Sequence, residues 1–161
     1  MKLVAFFFSL MSFFTSCKCN KMATQNDDIA NNKESELVLQ TSNLPKLVYQ
    51  ETSRGGFRKI SIIEGVIYVV SAQGAKPVYW MLKKEDNQKL LDLYKKIALD
   101  KINSLKAPTE KRFYDGAPIA NISFIIENQT YTSTDFDGGF PPKEIEAFIN
   151  ELILIAEKLN N

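Results

Sequence analysis

Histidine is missing from all 161 residues. With it go the commonest general base near neutral pH, the commonest metal ligand and any nucleophile activated by an imidazole. Cysteine is nearly missing as well. Cys17 and Cys19 are the only two, so the chain beyond residue 19 holds no disulfide and must be stabilised by packing, for which 11 Phe and 6 Tyr are available. No G-x-S-x-G, Walker loop, G-x-G-x-x-G or H-E-x-x-H occurs, which removes the conventional hydrolase, nucleotide and zinc readings. An excess of one charge is also lacking: 20 basic side chains face 19 acidic ones. A balanced chain has no phosphate-driven grip on nucleic acid. These absences predict a protein that is not an enzyme, carries no cofactor or metal and does not bind nucleic acid.

Long apolar runs are absent too, and the one short run has a specific form. A membrane span needs about 18 apolar residues, whereas residues 3–14 are broken by Ser9 and Ser12. Lys2 precedes that run, and Thr15-Ser16-Cys17 follows it with small residues before a cysteine. This is the pattern of a bacterial lipoprotein signal, with residues 1–16 removed and Cys17 lipidated. Cys19 fits less well, because Lys18 would then stand before the cut, where a small residue is required. Removing residues 1–16 takes away Lys2 and no acid, leaving 19 basic and 19 acidic side chains. Residues 17–43 are rich in Asn, Asp, Lys, Ser and Thr and read as a flexible tether, with at most an edge strand at Leu37-Val38-Leu39. The expected location is the bacterial cell envelope, on the inner or outer membrane with the domain in the periplasm. Surface export is disfavoured because Lys18 and Lys21 come before the acids Asp27-Asp28.

Residues 44–161 are the length of one domain with one core. Alternating and β-branched segments predict strands at 47–51, 57–63, 66–71, 78–81, 120–126 and 130–136, with Glu64-Gly65 as a hairpin turn. Apolar residues at three- and four-residue spacings predict helices at 85–99 and after Pro141-Pro142, where Ile145, Phe148, Ile149, Leu152, Ile153, Ala156 and Leu159 make a broad stripe. The expected fold is α+β: an antiparallel sheet of about four to six strands, built from two hairpin-helix (ββα) units, with two helices on one face. The other face, or one end of the sheet, is then the expected place for a partner.

Three clusters hold the remaining chemistry. Arg54 and Arg58 flank Gly55-Gly56; guanidinium forks and free backbone N–H groups there suit a carboxylate or phosphate, and a tight turn with solvated arginines is the plainer reading. The long loop 108–116 gathers Lys111, Arg112, Tyr114 and Asp115. Long loops in compact domains are often functional, and Asp115-Gly116 is equally turn chemistry. Asp135 and Asp137 precede Gly138-Gly139. With Asp115 they are a weak calcium or acid-base candidate, against the plainer reading that they satisfy backbone donors and shape the turn.

The leader, the Asn-rich tether, Arg54-Gly55-Gly56-Phe57 and the run from Ala107-Pro108-Thr109 to Tyr114-Asp115-Gly116 resemble small lipoproteins of Bacteroidota-type bacteria. The resemblance implies an envelope location and carries no catalytic residues. The expected function is a membrane-anchored, non-enzymatic binding or inhibitor-like module for an envelope protein, with 111–115 as its loop. The alternatives are a carboxylate-dependent glycan enzyme using Asp115, Asp135 or Asp137, and a purely structural or assembly lipoprotein.

Overall fold

The computed structural model describes residues 43–160. The leader, Cys17, the tether up to residue 42 and the segment 37–39 lie outside the described residues. Seven strands form one antiparallel sheet: β1 (Lys46–Thr52), β2 (Phe57–Ile63), β3 (Val66–Val70), β4 (Val78–Met81), β5 (Ile119–Ile126), β6 (Gln129–Thr132) and β7 (Phe136–Asp137). The strand order is β4-β3-β2-β1-β5-β6, with β7 also pairing β5. Two helices, α1 (Lys84–Tyr94) and α2 (Lys143–Asn160), follow β4 and β7. The architecture is therefore α+β with an antiparallel sheet. Two hairpin-helix units do not describe it, because four strands precede α1 and β1 joins the two halves by pairing with β2 on one side and β5 on the other.

Period-2 alternation decides which face is buried. Tyr49 on β1 lies opposite Ile60 on β2 and Ile122 on β5, and the same parity carries Leu47, Ile62, Ile67, Phe124 and Phe136 into the core. Leu90 of α1 and Ile145, Phe148, Ile149, Leu152, Ile155 and Ala156 of α2 join the same cluster, so both helices pack on this face. Each such Leu, Ile or Phe side chain contributes roughly 1.5–3 kcal/mol of burial. The stripe on α2 turns slightly from the expected one: Ile155 is buried and Ile153 only partly so. The β2-β3 turn has Glu64 at φ 50 and Gly65 at φ 76, the two left-handed residues that a tight hairpin requires.

Two elements differ from the sequence expectation. The first helix stops at Tyr94 rather than continuing to 99; Ala98 is extended (φ −79, ψ 92), and a 3-10 turn, Leu99–Ser104, buries Ile102 instead. Core contact of Ile102 outweighs local helical spacing there. The strand expected at 130–136 is split into β6 and β7. Between them Ser133 N–H donates to the Ile122 carbonyl at 2.9 Å, while its hydroxyl accepts from Ile122 N–H at 3.1 Å. A serine side chain thus stands in for a strand carbonyl at a bulge. Ser133→Ala leaves that buried N–H without its acceptor, and the denaturant midpoint should fall by the equivalent of about 1–3 kcal/mol. A change within about 0.5 kcal/mol, the range of a neutral surface substitution, would show that the hydroxyl is not holding the bulge.

Candidate binding site

One end of the sheet collects the features singled out in the sequence. Antiparallel pairing brings the end of β1, the start of β2, the start of β5 and β7 together there, and loop 105–118 crosses the same end. The turn between β1 and β2 is closed by Ser53 N–H donating to the Gly56 carbonyl at 2.8 Å. Gly138 sits in close contact with its neighbours: its N–H donates to the Pro118 carbonyl at 2.8 Å, and a Cβ there would lie 3.2 Å from both the Pro118 side chain and Glu51 Oε1. Glycine fits because a side chain there would make the Pro118 ring and the Glu51 carboxylate give way by a few tenths of an ångström.

Asp137 organises the loop. It is fully buried, and its carboxylate accepts from Thr109 Oγ1, from Lys111 N–H at 2.6 Å, from Arg112 N–H at 3.0 Å and from Arg112 Nη1 at 3.0 Å. Arg112 Nη1 also donates to the Thr109 carbonyl at 2.8 Å. Burial alone would raise the Asp137 carboxyl pKa; the Thr109 hydroxyl, the Arg112 backbone and side chain and the Lys111 N–H outweigh it and hold the group at about 2. Residues Lys111–Tyr114 form a 3-10 turn, which Asp115 ends in a left-handed conformation (φ 59, ψ 17). Gly116 N–H then closes back on the Lys111 carbonyl at 2.9 Å.

This clamp presents aromatic surface to solvent. Phe113 is 72% exposed and Tyr114 71%. Lys111 Nζ lies 3.9 Å over the Phe140 ring and the Arg112 guanidinium 4.3 Å over Phe113, both within cation–π range. Beside the loop, Arg54 reaches Asp115 at 3.2 Å across an open hollow.

The two arginines flanking Gly55-Gly56 do not converge. Arg54 lies on the side of the sheet carrying Asp137, whereas Arg58 lies on the helix side. There Arg58 Nη2 meets Glu51 Oε2 at 2.9 Å and its Nη1 meets Glu157 of α2 at 3.3 Å. Tyr49 donates its hydroxyl to the other Glu51 oxygen; burial first, and then that carboxylate, push its pKa up. Arg58 therefore ties β1, β2 and α2 together instead of framing a cradle. The two acids part company as well: Asp135 is exposed and accepts from Asn121 Nδ2 at 3.0 Å, while the Asp137 oxygens are taken by four donors. Among the described residues no group of three or more carboxylate or thiol side chains is placed to hold a cation.

Lys111, Arg112, Tyr114 and Asp115 share the loop as the sequence suggests. Sequence reasoning missed Phe113, which looks like core by composition, and Thr109, which has no local signal at all. The reading of Asp137 as a satisfier of backbone donors is right in kind, although its donors come from residues 25 to 28 positions away and not from its own turn.

Fold and site together define an α+β domain that displays a clamped aromatic loop at one end of its sheet. Compared with known proteins, the chain matches no family model, no curated protein and no solved structure.

Proposed function

We propose that the protein is a membrane-anchored envelope lipoprotein, lipidated at Cys17, that acts as a non-enzymatic binding module for another envelope protein through loop 111–115. The observation that carries this reading is the pair Phe113 and Tyr114, both more than two-thirds exposed on a backbone fixed by Asp137. Aromatic anchors on a rigid loop lose little conformational entropy on docking, which is the usual make-up of a binding hot spot. Chain direction supports it too. The described chain enters β1 at Lys46 and the loop lies at the opposite end of that strand, roughly 20 Å away at about 3.3 Å per residue. Anchoring at Cys17 would therefore attach the domain at the end of β1 away from the loop. Among the described residues no helix is long and apolar enough to cross a membrane.

The reading as a glycan enzyme finds less support. A general acid needs a raised pKa, and Asp137 is held low with both oxygens taken by donors. A structural or assembly role would leave the aromatic pair without a use.

Affinity capture from detergent-solubilised envelope tests the proposal, with the full chain as bait. Phe113→Ala/Tyr114→Ala should abolish capture of a saturable partner, each truncation weakening it by about 2 kcal/mol or more, while stability changes by no more than about 0.5 kcal/mol per exposed site. A partner retained by the double variant removes the loop from the binding surface. No saturable partner for the wild type removes the reading as a protein-binding module.

A further inference from the structure

Beside the aromatic loop lies a hollow of about 540 Å³, lined by Thr52, Ser53, Arg54, Gly55, Arg112 and Asp115 among others, within the size range of small-ligand pockets. We infer that it is a carboxylate-binding site, in which the protein's own Asp115 holds one of the two arginines in this structure. The two arginines have different duties. Arg112 is fixed: its side chain is 11% exposed, and Nη1 is held by Asp137 and by the Thr109 carbonyl. Its Nε and Nη2, with three N–H groups between them, have no hydrogen-bond partner among the described residues, leaving one edge of a rigid fork for the hollow that the residue lines. Arg54 is 87% exposed and, among the described residues, pairs with Asp115, itself 61% exposed, at 3.2 Å.

An ion pair as solvated as Arg54–Asp115 is weak and opens readily. Asp115 therefore acts as an internal stand-in for a ligand: it is a carboxylate, it already engages one of the two guanidinium groups, and it can swing into water. Charge selects the class. Arg54 and Arg112 are balanced by Asp115 and the buried Asp137, so an incoming carboxylate replaces Asp115 one for one. A phosphate dianion would leave the hollow with excess negative charge.

The site is independent of the identity of any protein partner and is tested directly. The full chain in detergent micelles is titrated at pH 7 and constant ionic strength with acetate, with inorganic phosphate and with the peptide acetyl-Ala-Glu-amide, following the arginine Nε–H resonances by NMR. Acetate should shift the Arg54 and Arg112 signals saturably, and more tightly than phosphate. Asp115→Asn, a residue that accepts the left-handed conformation at φ 59, should bind acetate about two- to fivefold more tightly, the size of a surface ion pair released. Arg54→Ala should bind it about tenfold more weakly, as when one charged hydrogen-bond donor is lost. Peptide binding tighter than acetate assigns the site to an acidic side chain of a protein; equal or weaker peptide binding assigns it to a free small acid. No saturable shift in Asp115→Asn, equal acetate affinity in all three chains, or phosphate binding more tightly than acetate would each overturn the inference.

Discussion

Asp137→Ala should lower the unfolding free energy by about 3–5 kcal/mol, the penalty for leaving a buried counter-charge without its partner. The reason lies in what the carboxylate holds. Removing it strands the largely buried Arg112 guanidinium, two backbone N–H groups and the Thr109 hydroxyl. A domain of this size has only about 5–15 kcal/mol in total. Asp137→Asn should cost nearly as much, because an amide keeps one acceptor oxygen and turns an NH2 toward groups that are themselves donors. The pH dependence provides the second readout. Folding lowers the Asp137 pKa from 3.8 to about 2, so the unfolded chain binds more protons in acid. Its stabilisation is complete above the unfolded pKa and is lost as pH falls through about 4 toward 2. Urea titrations between pH 2 and pH 7 should show this acid limb in the wild type and a flatter one in Asp137→Asn. A variant within about 1 kcal/mol of wild type, the net worth of an ordinary hydrogen bond, would mean that the loop is not clamped. Both Asp137 variants should also lose partner capture, since Phe113 and Tyr114 hang from the same backbone.

Phe124→Ala is the second large effect, at about 3–5 kcal/mol for an aromatic truncated in a packed core. Phe124 is fully buried on β5, with its ring 5.3 Å from Tyr94 and 5.4 Å from Phe148. Tyr94 ends α1 and Phe148 belongs to α2, so this one ring joins the sheet to both helices. Each aromatic contact adds about 0.5–1.5 kcal/mol beyond area burial. Phe124→Leu keeps most of the volume and should cost about 1.5 kcal/mol or less. Urea unfolding separates the two: the midpoint should fall for both and furthest for Ala, with unchanged slope. Equal midpoints for Ala and Leu would show that the site collapses around the smaller residue and that the ring is not the joint between layers.

The strands were readable wherever one face alternates cleanly. Leu47 and Tyr49, Ile60 and Ile62, and Ile122 and Phe124 occupy the core positions that period 2 assigns them. The α2 stripe was readable for the same reason at period 3.6. Ile97 and Ala98 misled, because their spacing continues a helix that the structure ends at Tyr94 in order to bury Ile102. Thr130 to Phe136 misled because a buried serine hydroxyl can replace a ladder carbonyl, and alternation cannot register that exchange. At the site, the charges of loop 108–116 stood out by composition, but the division of labour within it did not. Arg112 serves inward and Tyr114 outward, although the two residues are nearly adjacent.

The amino-acid sequence by itself determined most of the strand and helix segments and their apolar faces, because each depends on residues one to four positions apart and leaves a periodic trace. The tertiary structure alone decided that β1 sits between β2 and β5, that Arg54 and Arg58 part to opposite sides of the sheet, and that Asp137 holds the loop with Phe113 and Tyr114 outward. Those outcomes rest on contacts between distant positions, such as Arg58 with Glu157, 99 residues apart. Whether two charges meet there depends on sheet register and backbone approach, which no local pattern of residues encodes.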